Sequence, residues 1–520
     1  MKKILILIVI LILGWAGSTW FIGNKTEELL NEYVKQSQKT YADMGMDAQF
    51  KVTDYKKSFL QSTAKTSFSL KTGDLVLDNL FKDIQFNNTI SHGPVLLSGG
   101  TPSFGTALIH STLDMDALAP EAKIFLNKLF ADKNPLTSTI TFGLSQTANY
   151  SVTIPEIDIE EDGNSVKLKD GIHLAGTMDK KSLMGTLSGT VGALDLFIDN
   201  QKITTSTATI SADVKGIVAA QILGSTSFTL PSVKLKLSSL PLPEPISFGA
   251  KVVTHTQKSS DTALQGNMSL SLFDIKAPVD VSAINYKLNI KGMQIKGLEQ
   301  LATVQEEIQK LQSSMMAPNI SETEQKALLK KINGLPALLT SAVQNILKKD
   351  DTEVTLKLDV NSSQGKAELE TDIRYIGNGV DINIDKITQG GLAEILKIAE
   401  GNFNFSAPKK MISNTPAVLM IPMFSENGLI TEINDEYKLN AKFKNQSVIL
   451  NGKKMTAEQF IELVNTFANN NAPDNAEPLD DLPEGLIEEL SKQDIEELKA
   501  QGVPDELIQK INAFKEKTGN

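Results

Sequence analysis

The chain has 520 residues, 41% of them hydrophobic but only 6% aromatic, and a formal net charge of −11. That is ample apolar material for a core, while the charge makes nucleic acid a poor partner and sets the average surface against an anionic leaflet. Cysteine is absent, which excludes disulfides, thiol catalysis and thiolate metal sites.

The first element is the run from Ile4 to Ile22, which contains no charged residue. At 1.5 Å per helical residue it reaches roughly 28 Å, about the thickness of a bilayer's hydrocarbon core. Lys2 and Lys3 precede it, so the positive-inside bias keeps residues 1–3 in the cytoplasm and sends the rest across. Trp15, Trp20 and Phe21 fall in its last turns, where amphipathic rings favour the far headgroup layer. The expectation is a transmembrane anchor over 4–22, in a bacterial inner membrane, with the bulk of the chain periplasmic. The competing reading is a cleaved signal peptide, with Ala16, Gly17 and Ser18 as the small residues before a cut at Thr19.

Residues 24–45 read as a stalk helix: Leu29, Leu30, Tyr33 and Val34 recur at helical spacing behind Glu27 and Glu28. From Phe50 the period becomes two, which opens a β-rich domain over 46–295. Phe50 and Val52 start it, and Phe59, Phe68 and Leu70 sit among Ser and Thr. Ile140, Phe142 and Leu144 form one alternating set; Val152, Ile154, Ile157 and Ile159 a second; Val233, Leu235 and Leu237 a third; Tyr286, Leu288 and Ile290 a fourth. Each implies a strand with one apolar and one solvated face, the antiparallel habit. Gly163, Asn200 and the prolines of 240–245 supply turns.

Residues 296–348 read as a helical hairpin insert packed on the sheet or across its mouth. Leu298, Leu301, Val304, Ile308 and Leu311 mark its first helix, Ser321 with Glu324 makes a capping box for the second, and Pro336 should kink or divide that second helix. Over 349–468 strands return at 354–360 and 380–384, with helices near 392–398 and from Thr415. Asn451-Gly452 between short strands is the signal of a type I′ hairpin, and Thr456 with Gln459 caps a following helix. A linker over 469–485 and an acidic helical tail over 486–520 close the chain. The fold class expected is α+β, dominated by a large antiparallel sheet, curved or groove-forming, with a helical hairpin insert and one N-terminal transmembrane helix.

Marks of catalysis are few. His92, His110, His173 and His255 are scattered, without a second His or a carboxylate at helical metal spacing. Ser62 with Lys65 and Ser363 with Lys366 fit S-x-x-K, and Lys71-Thr72-Gly73 and Ser425 with Asn427 nominally complete the serine acyltransferase trio. That chemistry wants Ser and Lys one helical turn apart, and these lie in strand or turn surroundings. Glu156, Asp158 and Glu160, and Asp381 with Asp385, share strand faces where a divalent cation binds, although a solvated outer face explains them more simply. No catalytic residue, metal or cofactor is assigned, and a non-enzymatic protein is expected.

YKKSFLQSTA from Tyr55, SHGP from Ser91 and NQSVILNGKKMTAEQFIEL from Asn445, behind one N-terminal anchor, resemble the YdgA/YihF-like bacterial envelope proteins over residues 2–467. The resemblance marks His92, Gly93, Pro94, Asn451 and Gly452 as motif residues. It implies a membrane-anchored periplasmic protein for which no catalytic residue carries over. The functional expectation is a lipid or other amphiphile held in an apolar sheet groove; the alternative is a scaffold for envelope protein partners, through sheet edges or the acidic tail.

Overall fold

The computed structural model of the chain describes residues 26–28, 30–44, 46–71, 78, 82–96, 103–237, 244–315, 322–377, 382, 391–413 and 421–470. The expected anchor, the cap at Ser321, the helix start at Thr415, the tail beyond 470 and all of the 380–384 strand but Ile382 lie outside these residues. Two compact units are present, Met1–Asn445 with Ile449–Lys453, and Gln446–Val448 with Lys454–Asn520.

Polar–apolar alternation in the first unit builds an antiparallel sheet, in which 21 of the 24 strand segments among the described residues form seventeen strands. Its strands, in chain order, are β1 (Asp47–Lys56), β2 (Gln61–Lys71), β3 (Ile84–His92), β4 (Ala107–Leu113) and β5 (Thr137–Phe142). Then come four strands with an interruption each: β6 (Thr147–Ile154, Ile157–Glu161), β7 (Asn164–Leu168, Ile172–Asp179), β8 (Gly185–Val191, Leu194–Ile198) and β9 (Gln201–Thr205, Ala208–Val218). The series continues with β10 (Gln221–Lys236), β11 (Ile246–Lys258), β12 (Ala263–Lys276), β13 (Ala283–Gln294), β14 (Glu353–Ser362), β15 (Gly365–Tyr375), β16 (Ala399–Pro408) and β17 (Glu436–Lys444). Every strand pairs with the one before it, so the sheet is a plain meander. The interruptions in β6–β9 stack side by side, because both halves of each strand keep the same neighbours. Pro155 and Gly192 stand in that line; a Cβ on Gly192 would lie 1.6 Å from the Lys169 carbonyl.

Directly paired residues share a face, so the register settles which surface is apolar. One row runs Ile109, Ile140, Tyr150, Gly176, Leu187, Ala212 across β4–β9. Farther along, the same face carries Leu270, Tyr286, Leu358, Leu369, Phe405 and Leu439 across β12–β17. The reverse face carries Thr139, Ser151, Ala175, Ser188, Ser211 and Ser227, and later Asn289, Thr355, Asp372, Asn402 and Lys442.

Helix α1 (30–43, with 26–28 also helical) lies on the apolar face. Leu30 is buried among Ala64, Ile90, Ala107, Ile109, Phe142, Ala148 and Met178. Tyr33 meets the Phe142 ring edge-on at 6.0 Å, and Tyr41 packs on Phe50 at 5.4 Å and Phe68 at 6.3 Å. The stretch read as a stalk is thus helical and docked along the strands. A second helix, α2 (Pro120–Phe130), joins β4 to β5, where the sequence pattern gave no helical signal.

The insert is a hairpin of α3 (Ile295–Met315) and α4 (Glu322–Ile346). The two cross so tightly at Gly297 that a Cβ there would sit 2.2 Å from the Ile346 nitrogen. Pro336 lies inside a continuous α4, where division was one of the expected outcomes. Packing of the hairpin, which buries Leu298, Val304, Leu311 and Ala342, outweighs a proline cost of about 3 kcal/mol. β5 also stops short of its expected extent, leaving Leu144 in the turn that follows.

At the close of the chain, Asn451 and Gly452 have φ of 47° and 84°, the pair of positive values a type I′ turn requires. Within the second unit Thr456 N donates to Gln459 Oε1 at 2.9 Å and Gln459 N to Thr456 Oγ1 at 3.2 Å. That is the expected capping box, and it starts helix Ala457–Asn470.

Ile90 is 0% exposed, so Ile90→Ala should lower unfolding stability by about 2–5 kcal/mol. Leu358→Ala, on the half-buried stretch of the same face, should cost clearly less. Denaturant unfolding of the two variants checks the order.

Candidate functional site

Between α1 and the apolar face lies a cavity of about 470 Å³. Tyr33, Ser37, Thr40 and Tyr41 line it from the helix; Ile140, Tyr150, Met178, Leu187, Val214 and Ile222 line it from β5 through β10. The wall is mainly apolar, with hydroxyl side chains along α1 and, from the sheet, Ser138, Ser151, Thr177 and Thr186. Burial raises the Tyr33 and Tyr41 hydroxyls above their ordinary pKa, so both remain neutral. Thr40 Oγ1 is buried and makes no hydrogen bond in the structure, and an orphaned hydroxyl of this kind costs about 1–3 kcal/mol unless a partner is supplied. The cavity therefore offers mainly apolar contact, and the Thr40 hydroxyl is closed off from it. No HExxH-like or other grouping of metal-ligating side chains occurs among the described residues.

The motif histidine has a different role. His92 closes β3, is 2% exposed, and is held on both ring nitrogens. Nδ1 lies 3.1 Å from the Phe59 carbonyl, which only accepts, so Nδ1 carries the proton and Nε2 accepts from Ser62 Oγ at 3.0 Å. A hydroxyl on an imidazole is also the geometry of a nucleophile and its base. Here Ser62 and His92 are both buried, no carboxylate orients the ring, and the arrangement pins the β1–β2 turn to the end of β3. Gly93 follows because the backbone of Gly105 passes where a Cβ would be, 1.7 Å from its carbonyl oxygen. The Gly93–Pro94 peptide is cis.

Asn451 is a second pin. Its Nδ2 donates to the Gly428 and Leu429 carbonyls, each at 3.0 Å, and its Oδ1 accepts from Asn440 N at 2.8 Å. Gly452 completes the turn. The two motif clusters share no hydrogen-bond partner among the described residues, so the structure does not assemble them into one site. Trp15, Trp20 and Phe21 lie outside the described residues.

The nominal acyltransferase residues are separated. Ser62 binds His92, whereas Lys65, on the other face of β2, pairs with Asp114 at 2.7 Å. Ser363 Oγ donates to Asp280 at 2.6 Å, and Lys366 pairs with Asp359 at 3.3 Å and with Glu368. Of the aligned carboxylates, Glu156 pairs with Lys133 at 2.8 Å and Asp158 with Lys167 at 3.1 Å; Asp381 and Asp385 lie outside the described residues. Sequence reasoning missed the cavity's helix side, Thr40 above all. Its signal was weak: a Thr and a Tyr a turn beyond the apolar stripe of a helix read as exposed.

Burial holds the His92 pKa below its usual 6.5, with the Phe59 hydrogen bond acting the other way. A depressed histidine favours the neutral form in the fold, so the unfolded chain binds more protons below pH 6.5 and stability falls as pH drops from there toward the folded value. Thermal melts from pH 7 to 5 should show this loss, and His92→Gln should flatten it while lowering stability at pH 7.

No curated protein and no solved structure matches the chain. Residues 1–458 match DUF945, a match that takes in α1, the whole meander, the His92 turn and the Asn451 hairpin. The chain belongs to this family, the DUF945 bacterial proteins of unknown function.

Proposed function

We propose that the protein is a single-pass, membrane-anchored envelope protein that binds a lipid or another amphiphile between α1 and the apolar face of its sheet. The observation that carries the reading is the cavity with its largely apolar wall. A flat meander would carry β10 about 43 Å from β1, at about 4.8 Å per strand, several times the width of a helix. Residues beside one helix and residues of β5 through β10 line a single cavity only when the sheet bends around it. An acyl chain laid there gains about 25 cal/mol for each Å² buried. Beyond α1 the same face continues through Phe228 and Met268, which are 37% and 39% exposed, so the groove has room for a chain longer than the cavity.

The anchor rests on the uncharged run 4–22 and its flanking Lys2 and Lys3. No helix among the described residues is long and apolar enough to cross a membrane, and that run is not among them. Kinship within the family to the YdgA/YihF-like envelope proteins belongs to the same proposal. Scaffolding through the β1 edge is the weaker reading, because that edge carries a register shift between Thr53 and Lys56 and a positive φ at Asp54, the kind of irregularity that blunts strand addition.

The test is a photo-crosslinking amino acid placed in the full chain in cells. In place of Leu187, on the cavity wall, it should capture a lipid-sized adduct; in place of Ser188, on the reverse face, it should not. Equal capture at both positions, or none at Leu187, overturns the reading.

A further inference from the structure

Odd-numbered strands β1 through β9 end, and even-numbered strands β2 through β10 begin, at one rim of the sheet. Four large apolar side chains project from its turns. Phe59 and Leu60 are 46% and 47% exposed between β1 and β2, Phe104 is 73% exposed before β4, and Leu144 is 68% exposed between β5 and β6. Lys57, Lys180 and Lys181 sit in the same turns, and the Lys180 ammonium donates to the Gly143 carbonyl at 2.6 Å, tying the 180–184 turn to the 143–146 turn.

Exposed apolar side chains alone do not distinguish this rim, since Ile124 and Phe125 on α2 are 70% and 59% exposed at the opposite one. Charge does. The connections at 57–60, 93–106, 143–146, 180–184 and 219–220 contain no carboxylate, although Asp179 closes β7 beside the 180–184 turn and the next connection along this rim, 259–262, carries Asp261. On the opposite rim every connection from 72–83 through 277–282 contains at least one, and α2 itself lies between Asp116 and Asp132. In a chain of net charge −11, a rim of lysines and exposed apolar tips is a segregated feature, and it matches an anionic lipid surface.

Chain entry points the same way. Leu30 packs among Ala107, the first residue of β4, Phe142, the last of β5, and Met178, near the end of β7. Tyr41 lies deeper, on Phe50 and Phe68. Helix α1 therefore starts at this rim, and the residue at which the described chain begins, Thr26, follows the 4–22 run by a few residues.

We propose that this rim rests on the bilayer surface, with Phe59, Leu60, Phe104 and Leu144 in the headgroup layer and the turn lysines against phosphates, so that the mouth of the groove meets the membrane. The inference takes the bilayer's presence from the anchored reading, and its test separates the two. Because the protein has no cysteine, Phe104→Cys, Leu144→Cys and, as a far-rim control of equal exposure, Ile124→Cys can each carry a single nitroxide in the full chain. The labelled proteins are reconstituted in vesicles of phosphatidylethanolamine and phosphatidylglycerol and read by spin-label accessibility to oxygen against a water-soluble nickel complex. Labels at 104 and 144 should favour oxygen and the label at 124 nickel, and the difference should shrink when phosphatidylcholine replaces the anionic lipid. Flotation reports on the anchor separately; a protein that fails to insert is added to preformed vesicles and read again. Rim labels as nickel-accessible as the control, in both preparations, overturn the proposal whatever the anchor does.

Discussion

The phase of the polar–apolar alternation, kept from strand to strand, is the constraint on which the molecule depends. A one-residue slip in any pairing would send the apolar side chains of every later strand to the other face. Plain sequential pairing makes this demand easy to meet, because each register is set by the turn just before it. Turn chemistry follows suit: Asp162-Gly163, Asp199-Asn200 and Asn434-Asp435 all have two consecutive positive φ angles between paired strands, the twist-compatible form for short hairpins. Where the phase is strained, the chain breaks or bulges in line, as at Pro155, Gly192 and the shift between Leu230 and Val233, and the alternation resumes beyond.

One apolar face on so many strands leaves a sheet that must find something to cover it. Helix α1 covers β1–β7, and there the core is tight, with Ile90, Ala107 and Ala148 nearly inaccessible. Past β9 the face residues are half-buried, Leu270, Leu272, Tyr286 and Leu358 among them. Monomers seldom keep a contiguous apolar surface beyond a few hundred Å² without a use for it. Along the helix the face passes from a tight core to a cavity, with the boundary at Met178, Leu187 and Val214.

Much of this architecture was legible in the residues themselves. Period two at Val152–Ile159, Val233–Leu237 and Tyr286–Ile290 located strands because a half-buried antiparallel strand cannot hide its alternation. Asn451-Gly452 and the Thr456/Gln459 box were legible because their chemistry is local. What escaped was non-local. Leu144 continues an alternating pattern but falls in a turn, since Gly143 ends β5 and periodicity does not say where pairing stops. His92 read as a turn neighbour, whereas its meaning lies in two partners, Phe59 and Ser62, about thirty residues away. Helix α2 opens with Pro120 in its first turn and exposes Ile124 and Phe125, so it lacks the one-sided apolar stripe that would have signalled it.

The positions of the two motif pins carry a further step of argument. His92 fixes the β1–β2 turn to β3 through three groups, the Phe59 carbonyl, the Ser62 hydroxyl and the Leu60 carbonyl, which accepts from the His92 backbone nitrogen. Asn451 does the same for the loop at 428–429 and the strand at 440. Residues held in this way specify register and turn geometry. The apolar side chains that line the cavity from the sheet, by contrast, are mostly Leu, Ile, Val and Met, interchangeable at small cost as long as volume and apolarity persist. A surface made of such residues leaves little trace in a sequence, so the most specific motifs of this chain are structural while its apolar face is carried by a pattern.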